Sequence, residues 1–444
     1  MLTFGTNGIR GKLDELTPEF AASISCAFGE FAHGRIIVGM DTRTSSEMLK
    51  NAVVSGLLSA GCDVVDVGVV PSPTIEFLVL RMRADGGIIV TASHNPPEWN
   101  ALKFVDRNGV DISRERGAEI EKILRRGLRR AKWNEIRNVE RYGSAMQDHA
   151  EAIEKNVDAD KIRSKKLRIA LDCGNGTTSL IAPMLMRRLG MEIVTLNCQP
   201  DGFFPGRNSE PTEANIKDLV EFVRSSEFDF GVAWDGDGDR VVFVDEKGRY
   251  VIGDKVFALC VGHKLGKDRG KVVTTVATSN VVKSVCEEFG CELVYTRVGA
   301  PYLAEKMLEI GAVIGGEEVG GVIWPEISLG KDGLMTAAKI AEMACDKPLS
   351  ELVEGLPKYY NFKTKVECSH AQKEHVMKAL AERFQGENVI TIDGVRINFG
   401  EEWVIIRPSG TENYIRVFAE ARTAGKAEKI CREYEKIVRE EVCG

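Results

Sequence analysis

Asp235-Gly236-Asp237-Gly238-Asp239-Arg240 places three short carboxylates at alternate positions with only glycines between them. The glycines carry no side chain that could shield a ligand, and they let the backbone curl where other residues cannot follow. Carboxylate oxygens are hard donors, so the loop suits Mg²⁺ or a close relative and not a thiolate-seeking ion. Mg²⁺ commonly keeps water-filled positions that phosphate oxygens can take, and the loop therefore predicts phosphoryl chemistry. Two plainer readings compete. An acidic surface turn would need neither this spacing nor the apolar, strand-like flanks 230–234 and 241–244. An EF-hand would use Asp235, Asp237, Asp239 and Glu246 as loop positions 1, 3, 5 and 12, but Arg240 stands where that loop needs glycine, and the flanks read as strands.

Three further loops carry candidate chemistry. Ser93 lies in Thr91-Ala92-Ser93-His94-Asn95-Pro96, an exposed serine on a sharp turn beside a histidine. Serine is a weak nucleophile until a base or metal activates it, so in a chain with a Mg²⁺ loop Ser93 is a candidate phosphoryl acceptor. Lys103, after Asn100, could stabilise phosphate charge or shuttle protons. The alternative is that Ser93 and Asn95 merely cap a turn. In Arg407-Pro408-Ser409-Gly410-Thr411, an arginine fork, two hydroxyls and the N–H groups around Gly410 make a candidate phosphate cradle, against an ordinary glycine turn. Glu317 and Glu318, between glycine pairs, could accept hydrogen bonds from sugar hydroxyls or form a solvated turn. Arg10, after Phe4-Gly5-Thr6-Asn7-Gly8-Ile9, reads as an arginine on a glycine-rich loop whose backbone approaches something closely. His33, His149, His263, His370 and His375 show no constellation and read as structural or exposed.

The elements that must position these loops form a threefold repeat. Each unit opens with a strand-like run: 35–39, 168–172 and 271–275. An amphipathic helical segment follows, then a glycine and a second strand, 61–65, 190–194 and 290–294, glycine being the usual helix stop. A third strand, 86–90, 230–234 or 312–314, runs straight into the Ser93 loop, the aspartate loop or the Glu317 loop. Strand–helix–strand order predicts parallel or mixed sheets covered by helices, with ligands at the carboxyl ends of the strands. From about residue 364 the pattern changes to a helix over 370–384, strands near 389–392 and 403–406, and a final helix from 424 to about 442. The expected fold is α/β, with three related domains (1–150, 151–252, 253–363) and a smaller C-terminal α+β domain (364–444). Thr17, Pro18 and Glu19 mark the start of the first helix.

Composition narrows the class. A chain of 444 residues exceeds one ordinary core, and 43% hydrophobic with 28% charged residues is globular. A net charge of −7 argues against a nucleic-acid partner and requires cations to be gathered locally wherever an anion binds. The 11 cysteines show no Cys-x-x-Cys spacing, fit no zinc site and suit a reducing cytoplasm. No apolar run is long enough to span a bilayer.

Taken as a set and in this order, the Thr-Ala-Ser-His-Asn-Pro, Asp-Gly-Asp-Gly-Asp-Arg, Gly-Glu-Glu and Arg-Pro-Ser-Gly-Thr-Glu loops resemble those of the α-D-phosphohexomutases across essentially the whole chain. The resemblance implies four domains around a central cleft and phosphate transfer between the 6- and 1-positions of a hexose phosphate through a bisphosphate. It implies a phosphoserine at Ser93, and one Mg²⁺ per chain held by Asp235, Asp237, Asp239 and a phosphate oxygen on Ser93. Arg10, His94, Lys103 and Arg240 match positions near the transferring group, with Lys103 or His94 as acid/base. Glu317 and Glu318 match the sugar loop; Arg407, Ser409, Gly410 and Thr411 match the grip on the non-reacting phosphate. It further implies a hexose bisphosphate activator, a small-molecule hexose phosphate as partner with no nucleic acid or membrane, and a monomer or homodimer. Relatives of the bacterial phosphomannomutase/phosphoglucomutase type place serine and histidine at Val319 and Gly321, and histidine at Ala300. The amino-terminal pattern is similar to phosphoglucosamine mutases, which usually have aspartate at Asn7. The expected substrate is glucosamine 6-phosphate, with phosphomannomutase/phosphoglucomutase activity as the alternative and a serine-dependent sugar phosphatase as a remoter one.

Overall fold

The computed structural model describes residues 2–386, 388–409 and 413–443. Gly410 and Thr411 lie outside them. Four sheets divide the chain. In the first, strands Arg35–Met40, Asp63–Val69 and Gly86–Val90 are parallel with Arg35–Met40 between the other two. Trp99–Asp106 then returns antiparallel to Gly86–Val90. The second sheet repeats the plan: Arg168–Asp172 lies between Glu192–Leu196 and Phe230–Trp234, and Val241–Asp245 returns antiparallel. The third does so with Val272–Thr275, Leu293–Thr296, Ile314–Gly316 and the short return Val322–Ile323. Each chemically loaded loop therefore connects a parallel strand to its antiparallel return, so both ends of the loop are hydrogen-bonded into one sheet.

Two expectations shift in detail. The third strand of the third unit is Ile314–Gly316 and not 312–314: the first two glycines of the Glu317 loop belong to the strand. Arg10 is not on a loop. It lies in strand Ile9–Lys12, which pairs antiparallel with Trp99–Asp106 at the sheet edge, opposite Ala101. Residues 150 and 364 fall within helix Ala145–Lys155 and strand Tyr360–Glu367.

The last sheet is wholly antiparallel, in the order Tyr360–Glu367, Tyr414–Ala421, Glu402–Pro408, Val395–Phe399, Val389–Ile390, with helices His370–Arg383 and Ala424–Cys443 packed on it. Its apolar core stands apart from the others. One continuous core instead runs from Ile37 and Ile75 through Ile169 and Trp234 to Phe257, Trp324 and Leu334, joining the first three units. The fourth unit meets the third through a small apolar cluster, Val276, Trp403 and Ile405, and through Arg396. Arg396 is 1% exposed, donates to Val276 O, Thr278 O and Asn280 Oδ1, and lies over the Trp403 ring. At about 1.5–3 kcal/mol for each buried side chain, so small a cluster cannot hold a domain as the shared core does, and the polar contacts therefore matter here. No helix among the described residues is long and apolar enough to cross a membrane. Thr17 caps helix Pro18–Ala32 by accepting from Phe20 N.

Asp254, at the start of helix Gly253–Lys267, is buried and accepts from Ser279 N at 2.8 Å. Burial pushes its carboxyl up to about 8 against the Ser279 N–H, with Glu318 and Glu420 adding to the rise. Its unfolded value is 3.8, so between these values the unfolded chain has lost a proton that the folded chain keeps. Stability is therefore lost as pH rises across that window. Asp254→Asn removes this penalty. Urea midpoints should show the variant gaining on the natural chain by up to about 1.4 kcal/mol per pH unit from pH ~5 to ~8; an offset that does not change with pH contradicts the assignment.

Candidate active site

The aspartate loop is built by close backbone approach. Gly238 has φ +75°, and a Cβ there would lie 2.8 Å from Thr178. A Cβ on Gly236 would lie 2.7 Å from Ser93 O and 2.6 Å from Ser209 Oγ, so only glycine lets the two loops meet. Asp235, Asp237 and Asp239 are buried and bring one oxygen each within 4.8 Å of the others. Ser93 Oγ donates to Asp235 Oδ2 at 2.6 Å, across 142 residues of chain. Ser93 is 3% exposed, which corrects the expectation of an exposed serine; it does sit in a sharp turn, at φ +52°.

The loop carries three acids in one small space, and cations from other units and from the loop itself compensate them. Lys103 Nζ lies 2.7 Å from Asp237 Oδ2 and 3.3 Å from Asp239 Oδ2. Lys331 Nζ lies 3.3 Å from Asp239 Oδ2 and 2.7 Å from Glu317 Oε1. Arg240 Nη1 donates to Glu210 Oε1 at 3.1 Å, and Arg10 donates to Asn95 Oδ1. Burial, then Asp237 and Asp239, push the Asp235 carboxyl well above the ordinary range. For Asp239, burial is outweighed by Lys331, Lys103 and Arg240, which hold it below that range. Burial would depress the Lys103 ammonium, but Asp237 and Asp239 outweigh it and hold it charged. His94 Nδ1 is 3.4 Å from Ser93 Oγ; burial, then Arg240 and Arg10, depress the ring to about 2 and keep it neutral.

Mg²⁺ fits this donor set. Asp237 Oδ1 and Asp239 Oδ1 are buried and have no hydrogen-bond partner among the described residues. Orphaned buried carboxylate oxygens are costly unless something cationic completes them. All three donors are hard oxygens, as the ion requires.

The structure joins the Ser93 and aspartate loops to Lys103, Lys331 and Glu317. The other expected residues are held elsewhere. Glu318 accepts from Thr275 Oγ1 at 3.1 Å, and burial, then Glu317, raise its carboxyl. Arg407 pairs with Asp393 at 2.9 Å, and Ser409 N donates to Tyr414 O within the fourth unit. His149 is fully buried between Thr74 Oγ1 and Asp332 Oδ2, 2.9 Å from each.

Several residues in and around the site escaped sequence reasoning. Arg43, paired with Asp41, donates to the carbonyls of Ser93, Asn95, Pro96 and Trp99 and so shapes the serine turn. Ser72 donates to Asp237 Oδ2 at 2.6 Å. Arg207 donates to Trp234 O, just before the aspartates. Lys331 has its Cδ 2.4 Å from where a Cβ on Gly321 would stand, so it fills the space a side chain there would take. Glu76 and Asp111 lie buried behind Lys103; burial, then each other's proximity for Glu76, raise their carboxyls, Asp111 to about 6. A signal existed for Glu76, the one acid in the apolar helix Ser72–Arg81.

Comparison with known proteins agrees with this geometry. The chain matches four phosphoglucomutase/phosphomannomutase profiles: alpha/beta/alpha domain I over residues 1–131, domain II over 147–248, domain III over 252–360 and the C-terminal domain over 364–437. It is 46% identical to a "Phosphoglucomutase/phosphomannomutase" of Thermococcus kodakarensis over 97% of this chain and 96% of the relative. It is 42% identical to a "Probable phosphoglucosamine mutase" of Methanopyrus kandleri over 98% and 97%. The crystal structure of a phosphoglucomutase/phosphomannomutase family protein from Burkholderia thailandensis superposes with a TM-score of 0.88 at 27% identity, over 99% of this chain and 98% of that one. With all four profiles matched in order on three repeated α/β sheets and a separate fourth, and with relatives alike over the whole length, the chain belongs to the phosphoglucomutase/phosphomannomutase family of phosphohexomutases.

Proposed function

We propose that this phosphohexomutase converts glucosamine 6-phosphate to glucosamine 1-phosphate through a phosphoserine at Ser93 and a hexose bisphosphate. The observation that carries the phosphoserine role is the 2.6 Å hydrogen bond from Ser93 Oγ into the aspartate triad. Asp235, Asp237, Asp239 and a phosphate oxygen on Ser93 would hold Mg²⁺, which when bound draws charge from the phosphoryl group and eases departure of the serine oxygen.

In the first half-reaction a hydroxyl oxygen of the sugar attacks phosphorus. The new sugar O–P bond forms as the Ser93 Oγ–P bond breaks, its electron pair going to Oγ. The attacking sugar hydroxyl gives up its proton and Oγ takes one as it leaves, with Lys103 or His94 as acid/base: Lys103 is held charged beside Asp237 and Asp239, and His94 Nδ1 lies 3.4 Å from Oγ. Arg240 and Arg10 add positive charge around the transferring group. The bisphosphate turns over, and Ser93 Oγ takes back the other phosphoryl group. Arg407 and Ser409, with Gly410 and Thr411, grip the phosphate that is not reacting. A free hexose bisphosphate would restore phosphoserine lost to water. The units 1–150, 151–252, 253–363 and 364–444 would each contribute one loop; the four separate sheets support four units, with the last one starting at strand Tyr360–Glu367.

The choice of sugar follows from charge. Glu317 is paired with Lys331, whereas the Glu318 side chain beside it accepts from a neutral hydroxyl, so a 2-ammonium group there would offset the burial and the nearby Glu317 charge that raise its carboxyl. Relatives named as probable phosphoglucosamine mutases support this reading. The 46% identical relative named for glucose and mannose phosphates supports the alternative, a phosphoglucomutase/phosphomannomutase.

Turnover of glucosamine 6-phosphate, glucose 1-phosphate and mannose 1-phosphate, each with Mg²⁺ and trace hexose bisphosphate, decides between them. The highest kcat/KM is expected with glucosamine 6-phosphate; preference for either neutral sugar establishes the alternative. Ser93→Ala should lower kcat by roughly 10³-fold or more. A fully active variant rejects the phosphoserine.

A further inference from the structure

Two units meet on one carboxylate away from the metal-binding loop. Asp393 lies in the turn between Val389–Ile390 and Val395–Phe399. Its Oδ2 pairs with Arg407 Nη2 at 2.9 Å and also accepts from Val298 N, in the third unit, at 2.9 Å. The next residue, Gly394, has φ +82° and folds the turn onto its neighbour strand, so that a Cβ there would lie 2.6 Å from Arg407 Cγ. The turn 297–299 is itself anchored. Arg297 Nε donates to Ile392 O at 3.2 Å and its Nη1 to Glu115 Oε1 of the first unit at 2.9 Å, while Gly299 packs on Thr6.

Arg407 nevertheless keeps an open donor. Its Nε is buried and has no hydrogen-bond partner among the described residues. An orphaned buried N–H is costly, while the Arg407 side chain as a whole stays 19% exposed, so its guanidinium can still meet an incoming oxyanion. A free arginine would lose rotamer freedom on binding phosphate; one held in place by Asp393 has already lost it.

We infer that Asp393 is a positioning residue for the phosphate grip. It aims the Arg407 guanidinium and ties it to turn 297–299, so that the grip and the third unit's turn are set together. This rests on the proposed role of Arg407.

The test measures KM and kcat with glucosamine 6-phosphate, and the inhibition constant of inorganic phosphate, for the natural chain, Asp393→Asn, Asp393→Glu and Arg407→Lys. Loss of a hydrogen bond to a charged group should raise both KM and the phosphate inhibition constant about 10- to 100-fold in Asp393→Asn, with kcat at saturation changed less than about threefold. Asp393→Glu keeps the charge on a longer arm and should recover part of the loss, which a merely structural role would not give. If Asp393→Asn fails to fold, a smaller rise of the same two constants in Asp393→Glu carries the test. Unchanged constants in a folded Asp393 variant while Arg407→Lys raises both overturn the positioning role alone. Tighter phosphate binding in Asp393→Asn overturns it too, by making Asp393 a competitor. No effect of Arg407→Lys removes the grip itself.

Discussion

Three carboxylates within 4.8 Å of one another, all buried, are the constraint on which the rest of this molecule depends. Such a charge cluster cannot persist in an interior without compensation. The aspartate loop contributes Arg240 itself, but the first unit supplies Lys103 and the third supplies Lys331. The active site is thus also an electrostatic clamp between units, and the continuous apolar core beneath it keeps those cations in range. Even so, two of the carboxylate oxygens have no hydrogen-bond partner among the described residues, which is the state expected of a loop whose charge balance is completed by a bound ion.

The sheets explain how such a cluster can be held accurately. In each of the three repeated units the loaded loop leaves a parallel strand and re-enters the same sheet antiparallel, so neither end can drift. Side chains from neighbouring elements then hold the loops from behind. Arg43 caps the carbonyls of the serine turn, Arg207 holds Trp234 O, and Trp234 Nε1 donates to Gly333 O at the start of the buried helix Gly333–Ala344. The fourth unit is attached differently, through polar contacts of Arg396, Asp393 and Arg297 and a small apolar cluster, and it has its own core. The phosphate grip proposed for Arg407 would, on such a unit, be well placed to serve a substrate that must be held in two orientations.

Much of this was legible because the chemistry lies in short, contiguous runs. The aspartate spacing, the serine turn and the repeated strand–helix–strand pattern all follow from local rules of ligand type, turn residues and periodicity. The partners that complete the site were not legible, because they arrive through tertiary contact. Ser72 and Arg43 look like ordinary helix-start and turn residues in the sequence, and Lys331 lies apart from any motif yet closes on both Glu317 and Asp239. Ser93 looked exposed because its flanks are polar and turn-forming, but the aspartate loop packs over it. Arg10 looked like a loop residue because glycines precede it; edge pairing with Trp99–Asp106 makes it a strand. The third unit's strand ran into its glycines because backbone pairing with Val272–Thr275 does not need side chains.

The most direct test of the central claim is calorimetric titration of the metal-free chain with Mg²⁺, alongside Asp237→Asn and Asp239→Asn. The account predicts one site per chain, with binding lost or weakened at least about tenfold in each variant. Absence of binding to the natural chain, or binding that neither substitution changes, would contradict it.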